Sequence, residues 1–171
     1  MTFHSIVEQW CRTYKYMLHN PKNGNKRFYL TDSTAGVVEL AKGITPELSP
    51  CVVMESSVEG GGPVERPEMN YPVYFFVRAE KMADGDEAAV AKELAKNHAR
   101  NFLSWLKAKH NEQLAENIDG DFSRILLDGY VDYTTVGPLE DGWYAVLVQL
   151  SREEPLNLCV DENLYVEPCD C

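Results

Sequence analysis

No stretch of the chain approaches the roughly 18 apolar residues that a membrane helix requires, so no membrane span is expected. The opening MTFHSIVEQW has no basic region followed by an apolar block. That argues against a secretory signal and makes the cytoplasm of the producing cell the expected compartment. Cations are also few: 16 Lys and Arg face 27 Asp and Glu, for a net charge of −11. Gripping nucleic acid takes clustered Lys and Arg, and the only basic cluster is Lys22 to Arg27 in the loop-like HNPKNGNKRFYL. Specific nucleic-acid binding is therefore not expected. An acidic surface favours solubility and repels DNA.

Cysteine supplies no framework. The five, Cys11, Cys51, Cys159, Cys169 and Cys171, are an odd and widely separated set, unlike the even set of a disulfide scaffold. Cys11 lies in a helical pattern and Cys51 opens an apolar run, so both are expected as reduced core residues. Cys169 and Cys171 form a C-x-C pair, which suits soft metals but lacks the second pair or the histidine spacing of a zinc site. No metal and no cofactor is expected.

Signatures of catalysis are missing as well. The sequence contains no G-x-G-x-x-G after a strand, no Walker lysine loop, no G-x-S-x-G and no H-E-x-x-H. Gly60 to Pro63 runs into Val64 and Glu65 rather than a helix start, and reads as a loop tip. Of four histidines, His98 falls on an apolar helix stripe and is expected to be packed. His110 is placed at that helix's end, where a positive side chain suits the dipole. His4 and His19 flank the first helix. Asp128 and Asp132 share a strand face about 13 Å apart, too far for a two-metal site or an acid pair. Asp119-Gly120-Asp121 is a fragment of a calcium loop without the rest. The expectation is a protein that is not an enzyme.

What is present is a chain of 171 residues, 44% apolar and 25% charged, enough for one domain with a real core. Phe3, Ile6, Val7, Trp10, Tyr14, Met17 and Leu18 fall at helical spacing and predict a helix over 3–18, stopped before Pro21. A short strand at 27–31 precedes DSTAGVVELAKG, a helix with Asp32 or Ser33 as cap and Gly43 as stop. Strands follow at 49–58 and 70–80, forming a hairpin around the glycines. A long helix opens at Asp84 and runs to about His110, with Ala91, Leu94, Ala95, His98, Phe102, Trp105 and Leu106 as its stripe. Alternation returns from Ile125, with Leu127, Val131 and Tyr133 on one face. A turn at 137–142 leads to WYAVLVQLS, and Pro155 ends the domain. Residues 1–155 make a single domain and 156–171 a C-terminal arm or tail.

The class is α+β: a mixed, mainly antiparallel sheet of two hairpins, with the N-terminal helix and the long central helix packed on one face. Two strands, around Tyr74-Phe75-Phe76-Val77 and in WYAVLVQLS, are apolar on both sides, so a second face also needs cover. Either the irregular N-terminal segment folds over it or another protomer does. In the second case Tyr74, Phe76, Trp143, Ala145 and Leu147 form an oligomer interface.

This order of elements resembles the tail-terminator and related head–tail joining proteins of long-tailed bacteriophages, over about residues 1–155. The resemblance rests on the N-terminal helix, the strands SPCVVMES and VYFFVRAE, the long helix, and the closing pair GYVDYTTVG and WYAVLVQLSRE. It implies a structural phage or prophage protein of virion assembly. Such a protein forms a homo-oligomeric ring, commonly a hexamer, that caps the tail tube and meets the head connector. An acidic lumen would let DNA pass without sticking. A small intracellular adaptor or regulatory module, binding a different protein through an apolar sheet face, remains open beside it, as does an enzyme with an unrecognised site.

Overall fold

The computed structural model describes residues 2–56, 60–61, 68–80, 85–127, 133–139 and 142–153. Three helices are α1 (Phe3–Thr13), α2 (Thr34–Gly43) and α3 (Gly85–Ala115). Seven strands are β1 (Phe28–Thr31), β2 (Cys51–Glu55), β3 (Gly60–Gly61), β4 (Glu68–Arg78), β5 (Ile125–Leu126), β6 (Tyr133–Leu139) and β7 (Trp143–Glu153). They form one sheet in the order β1-β2-β4-β7-β5, with β3 beside β4 and β6 beside β7. β1 and β2 are parallel, joined through α2; the other pairs are antiparallel. The α+β class, the mixed sheet and the long helix agree with the sequence reading. So does the pairing of strands within each expected hairpin.

Several boundaries differ, each for a local reason. α1 stops at Thr13, whose hydroxyl bonds back to the Gln9 and Trp10 carbonyls. Tyr14 is already extended, and a turn with Leu18 at φ 47° brings the His19 amide to the Cys11 carbonyl at 2.9 Å. The reversal keeps Met17 in the core and leaves Leu18 outside. α3 passes His110 and ends five residues later, at Ala115. There Asn117 takes the left-handed conformation (φ 52°) and the Ile118 amide reaches the Gln113 carbonyl at 3.0 Å, the 6→1 bond of a Schellman stop. β6 runs through the expected turn to Leu139, across a cis Gly137–Pro138 bond. Asp128, Val131, Asp132, the Tyr133 side chain and the arm with Cys159, Cys169 and Cys171 lie outside the described residues.

The apolar stripe of α3 is also rotated from its expected line. Its buried residues include Ala91, Ala95, His98, Ala99, Phe102 and Leu106, whereas Leu94 is exposed and Trp105 half-buried. Alanines at 91, 95 and 99, one turn apart, let this part of the helix lie close to the strands. Larger side chains take over at Phe102, where the ring packs on Phe75 at 5.5 Å and on Trp10 at 5.2 Å. On this face α1 and α3 together bury Val73, Phe75, Val77, Tyr144, Val146 and Val148.

The opposite face answers the question raised by the doubly apolar strands. α2 lies across it, and Val37, Ala41 and Ile44 pack against Cys51, Val53, Tyr74, Phe76, Trp143 and Ala145. Val37 and Ala41 lie one turn apart on the buried side of α2 and Ile44 follows as its C-cap. The protein is thus a three-layer sandwich, α1 and α3 on one side and α2 on the other. The expected interface is corrected here: Tyr74, Phe76, Trp143 and Ala145 are 5%, 0%, 0% and 0% exposed within the single chain, because α2 covers them.

Candidate functional site

The five residues singled out on the second face are indeed brought together. Tyr74 stands opposite Leu147 and Phe76 opposite Ala145 across the β4–β7 ladder, and the Phe76 ring meets Trp143 edge-on at 6.2 Å. They form core, with Leu147 half-buried at its margin. The same helix cover removes the bare sheet face on which an adaptor would rely.

One polar knot pins α2 to this core. Glu55, buried at the end of β2, accepts from the Tyr74 hydroxyl at 2.6 Å and from the Thr34 hydroxyl at 3.1 Å. Burial, and then the hydrogen bond to Glu55, push the Tyr74 phenol well above its ordinary range. Both donors are needed, since a buried carboxylate missing a partner is costly. Tyr74→Phe is therefore expected to destabilise the protein by about 1–3 kcal/mol, measured by urea unfolding. A null effect would mean that water can replace the phenol.

The histidines do not converge. His19 is buried, and its Nδ1 accepts the Arg27 and Phe28 amides at 2.8 and 3.2 Å. The proton is therefore on Nε2, which faces Glu8 at 3.4 Å. Burial holds its pKa below the ordinary value against the pull of Glu8. His98 is packed, as the sequence suggests, with Nδ1 3.0 Å from the Tyr14 hydroxyl. Burial lowers its pKa to about 4. His110 Nδ1 donates to the Phe122 carbonyl at 3.0 Å, tying α3 to the loop before β5. His4 stands edge-on to Tyr71 at 6.2 Å. These rings join segments, and each has a different neighbourhood.

Arg27, in the basic cluster seen in the sequence, is a structural clamp. Its guanidinium donates to Asn25 Oδ1 and to the carbonyls of Glu47, Ser49 and Pro50 at 2.6–3.1 Å. It thereby fastens the entry of β1 to that of β2. Cys11 and Cys51 are buried and reduced. Burial raises both thiols, Cys51 to about 12. Only thiolates attack alkylating reagents, so iodoacetamide at pH 8 is expected to leave both unmodified in the folded protein and to label both in urea. Peptide mass mapping reads this, and labelling of either in the native state would show an opening of the core.

Among the described residues no group of three or more His, Cys, Asp and Glu is placed to hold a metal ion, and no helix is long and apolar enough to cross a membrane. The described surface exposes large apolar residues in several places: Val90 and Leu94 early in α3, Leu30 on β1, Val38 on α2, and two groups towards the lateral edges of the sheet. Next to the β1 edge, Tyr16 and Leu18 are each 55% exposed. Next to the β5 edge, Leu114, Ile118 and Leu126 are 53%, 48% and 38% exposed. Leu18, expected on the core face of the first helix, lies past its end and is exposed; no sequence motif marks Leu114, Ile118 and Leu126. The signal available for the second group was the helix stop at Asn117, which turns Ile118 back beside Leu114. No protein-family model matches the chain, and no curated protein matches it.

Proposed function

We propose that the chain is a structural subunit of phage or prophage virion assembly, a tail-terminator-like protein that forms a ring at the head–tail junction. In the common form of that family the ring is a hexamer that caps the tail tube and presents a surface to the head connector. The order of elements supports this reading: an N-terminal helix, a strand pair, a long helix and a closing strand pair on one sheet. The observation that carries it is a sheet whose two lateral edges differ. β1 forms one side and β5 with β6 the other, and each edge has its own exposed apolar patch. Contact between two unlike surfaces repeats from copy to copy, and it closes into a ring when the rotation permits.

Light scattering across a concentration series, with negative-stain images of any large species, tests the proposal. A discrete ring mass with annular particles is the expected result. A protomer mass at every concentration, with no annuli, overturns it.

A further inference from the structure

The two edge patches differ in charge as well as position. Residues 12–31 contain no Asp or Glu and carry Arg12, Lys15, Lys22, Lys26 and Arg27. Arg12 is paired with Glu8 and Arg27 is spent on the backbone clamp. Lys15, Lys22 and Lys26 are exposed: Lys15 lies over the Tyr16 ring and Lys26 over the Tyr29 ring, each at 4.8 Å, and the Asn25 amide next to Lys26 holds its loop to the Leu18 carbonyl at 2.7 Å. On a chain of net charge −11 this is a local inversion of sign.

The patch at the other edge is acidic. Residues 111–123 contain no Lys or Arg. In the segments that carry Leu114, Ile118 and Leu126, and at the end of β7 beside them, the carboxylates Glu112, Glu116, Asp119, Asp121 and Glu153 outnumber Lys109, Arg124 and Arg152. Asp119 is bonded to Arg124 at 3.0 Å and Asp121 to Arg152 at 2.8 Å, and Glu112 meets Lys109 at 2.6 Å. Glu116 lies exposed one turn from Gly120. A shallow groove runs between Leu114, Ile118 and Leu126, with Asp119, Arg124 and Glu153 on its rim.

The patches cannot coincide. Tyr16 rests on the His98 ring, centroids 5.9 Å apart, and His98 precedes Leu114 by about 24 Å of α-helix. β1 and β5 are the opposite ends of the strand order. One patch is apolar with a basic rim, the other apolar with an acidic rim. Self-docking of either like patch would set charges of one sign against each other, which disfavours it.

We infer that the occupant of each patch is a second copy of this chain: the Tyr16/Leu18 patch of one subunit seats on the Leu114/Ile118/Leu126 groove of the next, with Lys15, Lys22 and Lys26 facing the acidic rim. This rests on the ring reading above and assigns its subunit contact. A head-to-tail contact of this kind leaves both patches occupied in a closed ring and one of each bare at the ends of an open chain. Its rim charges are screened by salt, so assembly is weaker at high ionic strength.

The test uses two full-length double variants on exposed positions. Lys22→Glu with Lys26→Glu makes both patches acidic; Glu112→Lys with Glu116→Lys makes the acidic rim basic. Each alone is expected to lose assembly and run at protomer mass by light scattering. Mixed in equal amounts, each supplies the patch the other lacks, and assembly returns. That return also excludes misfolding as the cause of the loss. Variants that assemble like the native chain, or a mixture that stays at protomer mass, overturn this contact while native rings keep the ring reading. A native chain that is a protomer at every concentration overturns both.

Discussion

Trp143→Ala is expected to lower the stability of the single protomer by about 3–5 kcal/mol, the usual cost of emptying a large aromatic site in a packed core. For a chain of this size that corresponds to a fall in Tm of roughly 10 °C. Trp143 begins β7 with no exposed surface, pairs with Arg78 across the central ladder, and packs against Phe76 under the cover of α2. The neighbours lining the cavity are strand residues fixed by their hydrogen bonds, so the site has little freedom to collapse. The measurement is urea or thermal unfolding at concentrations where the native chain is a protomer. Were Trp143 an interface residue, the substitution would change assembly and leave the protomer's unfolding midpoint in place. The two readings of the second sheet face therefore give opposite results in one experiment.

Acid should weaken the fold over a window set by the buried histidines. His98 is neutral in the folded state with a pKa near 4, whereas the unfolded chain takes up its proton near the ordinary value of about 6.5. Above that value neither state binds the proton and the full stability is present. As pH falls towards 4 the unfolded state binds a proton that the folded state refuses, and stability declines. Below about 4 both states are protonated and the loss levels off. The total is on the order of 3 kcal/mol for His98, and His19, shifted in the same direction, adds to it. Unfolding free energies measured between pH 7 and pH 4 should show this slope. His98→Leu should flatten most of it, because it removes the titrating ring while keeping an apolar group beside Tyr14. A variant that retains the full slope would place the acid sensitivity elsewhere.

Sequence patterning carried the local elements and missed what depends on distant partners. Ser33, one of the two caps expected for α2, caps it by side-chain chemistry that is readable one turn at a time; the stop at Asn117 lies beyond the expected end near His110. The two-sided apolarity of Tyr74-Phe75-Phe76-Val77 correctly demanded cover on both faces. The source of that cover is weakly marked in the sequence, because Val37 and Ala41 make a stripe only one turn long in a helix that also carries Val38 and Leu40, with Ile44 just past its end. In α3 the expected stripe includes Leu94, whereas the buried face takes Ala99 and leaves Leu94 44% exposed. Close approach to the sheet favours the small residue. The edge patches depend on turns: Tyr16 and Leu18 are exposed by the reversal that brings His19 back to Cys11, and Ile118 by the stop at Asn117, whose asparagine is the one local signal for it.

The central ladder has a consequence for the order of events during synthesis. β4 finds its longest partner in β7, so Glu68 waits for Glu153 and Arg78 for Trp143. Contacts that far apart in sequence form late, after helices and hairpins have shortened the intervening loop. Until β7 has left the ribosome, β4 has β2 on one side and an open edge on the other, with Phe75 and Phe76 in the middle. A chain shortened before β7 would keep that edge, and open apolar edges recruit other strands. Emergence of β7 is thus the step that retires its most adhesive surface.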